Sequence, residues 1–119
     1  MSEPKISNFN TIIKEIIKKS LFTERQIEII LKQKKLLDVE FDVSKGAYYR
    51  QLAQSRSKVE SVYYTLILLQ AYDVILPDSN VISRLAEQLN VMKDSSFTPE
   101  NESQIIDVIQ KAVKQLVDV

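Results

Sequence analysis

Residues Ser44 to Tyr72 read SKGAYYRQLAQSRSKVESVYYTLILLQAY, and the reading of this stretch decides the fold. The pattern predicts a short helix, a tight polar turn and a longer apolar helix, the layout of a helix-turn-helix. The first helix is expected from about Ala47 to Gln54. Ser44 is its natural N-cap, because a serine hydroxyl can accept from an otherwise orphaned backbone N–H. Tyr49, Leu52 and Ala53 fall at i, i+3 and i+4 and so share one face. The break is expected at Ser55-Arg56-Ser57. Ser57 with Glu60 three residues on has the form of a capping box, in which each side chain satisfies a backbone N–H at a helix start. Val59, Val62, Leu66 and Leu69 then recur at helical spacing as a core stripe, widened by Tyr63 and Ile67. A recognition helix would cover about residues 58–72.

Charge is concentrated in the same place. Between Val43 and Val59 stand Lys45, Arg50, Arg56 and Lys58 with no acid, in a chain that balances 16 basic against 16 acidic residues. In a helix-turn-helix the start of the second helix enters the major groove while nearby cations meet phosphates. Arg56, Ser57, Lys58 and Ser61 occupy those positions. Arginine is the side chain best shaped to pair with guanine or to grip a phosphate. Tyr48 and Tyr64 can offer hydroxyls to phosphates. With Lys45 and Arg50 these residues form the expected DNA-binding set, and double-stranded DNA is the expected partner.

The runs YYRQLAQ and SRSKVESVYYTLILL resemble the tyrosine-arginine-x-leucine-alanine helix and the following recognition helix of sigma-factor-type helix-turn-helix proteins. TERQIEIIL resembles the helix that comes first in such domains, and GAYYRQ is similar to small DNA-binding proteins of heat-loving archaea. The resemblance covers about Phe22 to Tyr72. It implies a small transcriptional regulator, or a chromosome- or virus-associated DNA binder. The chain departs from that pattern in a shorter turn without the usual glycine and in a longer segment between the TERQ and YYRQ helices.

Composition narrows the classes. The 119 residues suit a single domain with a C-terminal helical extension, and 45% hydrophobic with 27% charged residues is an ordinary globular balance. One glycine and three prolines are too few for the turns of a β-rich chain, so the expected fold class is all-α with about five helices. Without cysteine there are no disulfides or thiolate metal sites. Without histidine the commonest metal ligand and general base is missing. Gly46 stands alone, so no glycine-rich phosphate loop exists. Neither an enzyme nor a bound cofactor is expected. No apolar run has the length of a membrane span, the N-terminus has no signal-peptide core, and a cytoplasmic protein is expected.

Met1 to Ser7 is expected to be a loose arm. Ile12, Ile13, Ile16 and Ile17 mark an amphipathic helix over about Phe9 to Ser20. Thr23 and Gln26 form another capping box, opening a helix to about Lys35 with Ile27, Ile30 and Leu31 inward. LLDVEFDV, Leu36 to Val43, alternates with strand period and reads as an extended connection, with a short β pairing to Asp73–Leu76 as an option. Its Asp38, Glu40 and Asp42 read as a solvent edge, with a hard-cation site as the minor alternative. Pro77 stops the long helix, and Asp78 or Ser79 can cap the next, which carries Val81, Ile82, Leu85, Leu89 and Met92 to about Lys93. Thr98 as N-cap with Pro99 behind it starts the last helix.

The stripe Ile105, Ile109, Ala112 and Leu116, with Val113 beside it, is wide for a surface helix. It either packs back on the core or forms a homodimer seam with Ile82, Leu85 and Leu89. Residues 1–35 carry +4, 36–42 −3, 43–59 +4 and 60–119 −5. A basic front and an acidic back fit a DNA face opposite a protein-facing end. The alternative function is a helical protein-interaction or assembly module working through that acidic C-terminal half, without DNA.

Overall fold

A computed structural model of the chain describes residues 9–76 and 80–119. It is all-α, with five helices and no strand among the described residues: α1 Thr11–Lys19, α2 Glu24–Gln33, α3 Lys45–Ala71, α4 Val81–Met92 and α5 Pro99–Leu116. The chain divides into two compact units, one of residues 1–16 with 78–119 and the other of residues 17–77. The expected arm at Met1 to Ser7, the stop at Pro77 and the caps at Asp78 or Ser79 lie outside the described residues.

In the unit of residues 17–77, α2 and α3 pack on one another, and Ile17, Ile29 and Leu52 are buried. The start of α2 is set locally. Thr23 N donates to Gln26 Oε1 at 2.9 Å and Gln26 N donates to Thr23 Oγ1 at 3.2 Å, so the expected capping box forms. The end of α2 is a Schellman closure: Leu36 N donates to Leu31 O at 2.8 Å and Lys35 N to Lys32 O at 2.9 Å. That closure holds Lys35 at φ 59°, the left-handed region a glycine normally takes.

The alternation in Leu36–Val43 is used without a strand. Leu37, Val39 and Phe41 are half-buried, while Leu36, Asp38, Glu40 and Asp42 face water. The segment is an extended connection lying along α2, with the Lys32 ammonium donating to Val39 O at 2.5 Å. The optional partner, Asp73–Leu76, is instead the turn that closes α3, so no β pairing exists among the described residues.

The largest correction concerns Ser44–Tyr72. Ser44 does cap a helix, accepting from Ala47 N at 3.1 Å. That helix then runs unbroken for 27 residues through Ser55, Arg56 and Ser57. No turn exists there, and Ser57 with Glu60 is mid-helix. The physical reason is the absence of any glycine or proline at the expected break, between segments rich in helix formers such as Arg50, Gln51, Leu52 and Ala53. Ser55, fully buried, donates its hydroxyl to Gln51 O at 2.9 Å and so is satisfied inside the helix. A break would have left new backbone donors and acceptors unpaired for no gain. The core stripe also differs from expectation. Leu52 is buried and Val59, Val62, Leu66 and Leu69 are half-buried, but Tyr49, Ala53, Tyr63 and Ile67 are exposed.

In the other unit, Ile12 is buried and Asn10 ties the parts together. Asn10 Oδ1 accepts from Ile13 N at 2.9 Å, capping α1. Its amide donates to Met92 O and Ser95 O, each at 2.9 Å, closing the end of α4. Thr98 accepts from Asn101 N at 3.2 Å with Pro99 in the first turn, so α5 begins where the sequence indicates. Ile105 and Ile109 of α5 line an apolar hollow of about 520 Å³ with Val91 and Met92 of α4. Of the expected dimer stripe, Ile105, Ile109 and Leu116 are half-buried and Val113 is exposed.

Candidate nucleic-acid interface

A continuous α3 redistributes the expected DNA-binding residues. At 3.6 residues per turn, Arg50, Ser57, Ser61 and Tyr64 form one stripe, and Lys45 and Arg56 form a second about a third of the way round the helix from it. All six are exposed. The first stripe lies opposite Leu52 and Ser55, whereas Lys45 and Arg56 flank Leu52. From Lys45 to Arg56 the axis advances about 16 Å, the length of roughly five base pairs.

Tyr48 and Lys58 point elsewhere. The Tyr48 ring stacks on Phe41 with centroids 6.0 Å apart, and its hydroxyl donates to Gln33 Oε1 at 3.3 Å. Lys58 Nζ donates to Gln26 Oε1 at 2.9 Å and lies 5.8 Å from the Phe22 ring centroid. Gln26 thus serves the start of α2 and anchors α3 at once. These two residues hold α3 against its neighbours, and the expected set reduces to six exposed residues on two stripes.

The electrostatics of that surface are simple. Lys45, Arg50 and Arg56 form no ion pair with any described residue. The first turn of α3 contains no acid, although an acid there would suit the helix dipole. Lys45 and Lys32 line a hollow of about 210 Å³ with Phe41, Tyr48 and Tyr49. Positive charge therefore accumulates at the N-terminal end of α3 and decreases towards Glu60.

Sequence reasoning missed the group around Phe41. Its ring takes the Arg25 guanidinium at 4.6 Å and the Lys32 ammonium at 5.4 Å from its centroid. Arg25 also pairs with Glu28 at 3.7 Å. The inward register of Phe41 in the alternating run was the available signal. Asn10 had a signal too, since asparagine is a preferred N-cap.

Among the described residues no group of three or more acids could hold a metal ion. Asp38, Glu40 and Asp42 are spread along the exposed side of the connection. No helix among the described residues is long and apolar enough to cross a membrane. No protein-family model matches the chain, and neither does any curated protein or solved structure.

Proposed function

We propose that this protein binds duplex DNA through the exposed basic side chains of the N-terminal half of α3, as a small transcriptional regulator. The reading rests on one observation: Lys45, Arg50 and Arg56 stand exposed and without ion pairs among the described residues, along a helical stretch that contains no acid. Each can neutralise a phosphate and release its counterion, the main source of affinity in such contacts. Ser57, Ser61 and Tyr64 add hydroxyls on the stripe that carries Arg50 for phosphate or base-edge hydrogen bonds. Net charge of zero argues against coating DNA in bulk and favours a local contact.

Anisotropy titration of a random duplex at low and moderate salt tests the reading. The expected result is binding that weakens with salt. The Arg50→Glu/Arg56→Glu variant should lose it while keeping the wild-type melting temperature, because both side chains are exposed. A milder Arg56→Gln variant should reduce the slope of log K against log salt by about 0.9. Absence of binding at low salt, or binding untouched by the double variant, overturns the assignment. A second role, association through protein contacts, is favoured by the apolar C-terminal half of the same helix. It shares Ser61 and Tyr64 with the first and leaves Lys45, Arg50, Arg56 and Ser57 to the duplex.

A further inference from the structure

We propose that the C-terminal half of α3, Ser61 to Tyr72, is the seam of a homodimer in which two copies of α3 pack antiparallel. This inference does not depend on DNA binding. Its first support is exposure. Tyr63, Tyr64, Ile67, Leu68 and Tyr72 are 65%, 72%, 65%, 56% and 75% exposed, while Val62, Leu66 and Leu69 on the opposite side are half-buried. With Ser61, Thr65 and Gln70 as its polar residues besides the tyrosines, this half of α3 carries apolar side chains on both sides, and such a helix is normally covered on both.

The area is of the right size. Three tyrosines and two aliphatic side chains at this exposure present on the order of 600 Å². Val74 and Leu76, just beyond the helix and also exposed, extend the surface towards the roughly 800 Å² per partner of a standard interface. A monomer rarely leaves so large an apolar patch open.

Charge favours a second copy as the occupant. The twelve residues between Glu60 and Asp73 include no charged side chain. A two-fold contact sets a surface against itself, so a charged stripe would repel its own copy and a neutral one does not. Charge also selects the direction. A parallel pair would place the acid-free basic stretches of residues 43–59 side by side, whereas an antiparallel pair sends them to opposite ends and opposes the helix dipoles favourably. An antiparallel pair centred between Thr65 and Leu66 sets Tyr64 against Ile67 of the second copy. The tyrosine then meets an aliphatic side chain, and its hydroxyl can reach the wet edge of the seam.

Sedimentation equilibrium of the full chain without nucleic acid tests this. The expected species has twice the chain mass of 13.7 kDa. The Tyr64→Lys/Ile67→Lys variant should raise the dimer Kd at least about thirtyfold, the effect of losing an interfacial hot spot, with unchanged helical circular dichroism. Val108→Lys, an exposed position on α5, should leave the dimer intact. A wild-type chain that stays monomeric at high concentration overturns the proposal and leaves this face to another protein. A dimer that survives Tyr64→Lys/Ile67→Lys, or is lost in Val108→Lys alone, overturns it in favour of α5. DNA binding that fails while the dimer persists leaves this inference standing.

Discussion

The two halves of α3 are unlike in the wrong direction. The N-terminal half is polar and basic, yet it contains the buried residues of the helix, Leu52 and Ser55. The C-terminal half is far more apolar, yet Tyr63, Tyr64, Ile67 and Leu68 stand in water. Hydrophobicity alone therefore does not decide burial along this helix. The first half has α2 to pack on, with Lys58 tied to Gln26 and Tyr48 to Phe41 and Gln33. Burial follows the partner, and the second half has an apolar surface whose partner is proposed above to be a second copy.

The comparison assumes that both halves belong to one helix, and the largest expected effect tests that assumption. Ser57→Pro removes a backbone donor from the middle of α3 and drives the proline ring into the preceding turn, costing about 3 kcal/mol or more. A turn at residues 55–57 would accept the same change with little loss. Urea unfolding of the variant separates the two. A loss below about 1 kcal/mol would restore the helix-turn-helix and remove the continuous helix.

The next effect contrasts the halves directly. Leu52→Ala should destabilise the chain by roughly 2–3 kcal/mol, the lower part of the range for a buried leucine because so small a core can partly collapse around the gap. Leu68→Ala should cost less than about 0.5 kcal/mol in the monomer, although Leu68 sits in the more apolar half. Thermal melts at dilute protein make the comparison. The gap between the two variants should narrow as concentration rises, because Leu68 then becomes an interface residue whose loss is felt through mass action. Equal losses at dilution would show that the C-terminal half is already covered.

These residues also show what was legible in the sequence. The caps at Thr23 with Gln26, at Ser44 and at Thr98 with Pro99 were readable because each is a bond between near neighbours in the chain. The alternation of Leu36–Val43 was readable as an extended segment because its period matches the side from which α2 covers it. Ser57 and Glu60 misled because a serine and a glutamate three apart are equally at home inside a helix. Only a glycine or proline nearby would have distinguished the cases, and neither is present. Tyr48 and Lys58 were assigned to the DNA-facing set for a related reason. With a turn before Ser57 their angular positions would have been independent, whereas one helix turns both towards α2 and the connection. Asn10 reaches Met92 and Ser95 more than eighty residues away, and no local pattern encodes such a contact.

The smallest effect compares the ends of the two packed helices. α3 closes as α2 does, with Val74 N donating to Leu69 O at 2.8 Å and Asp73 N to Gln70 O at 3.1 Å. Asp73 sits at φ 59°, as Lys35 does. Glycine would relieve left-handed strain at both sites, but not equally. Aspartate visits that region more readily than lysine because its short side chain can hydrogen-bond locally. Glycine also makes the unfolded chain more disordered, which offsets part of any gain. Lys35→Gly should therefore stabilise the chain by about 0.5–1 kcal/mol, and Asp73→Gly should be close to neutral. The measurement is the change in urea midpoint at constant m-value. A gain at Asp73 as large as that at Lys35 would mean the aspartate carries as much strain as the lysine. The end of the exposed half would then be held as tightly as the end of α2, and the contrast between the halves would be confined to their side chains.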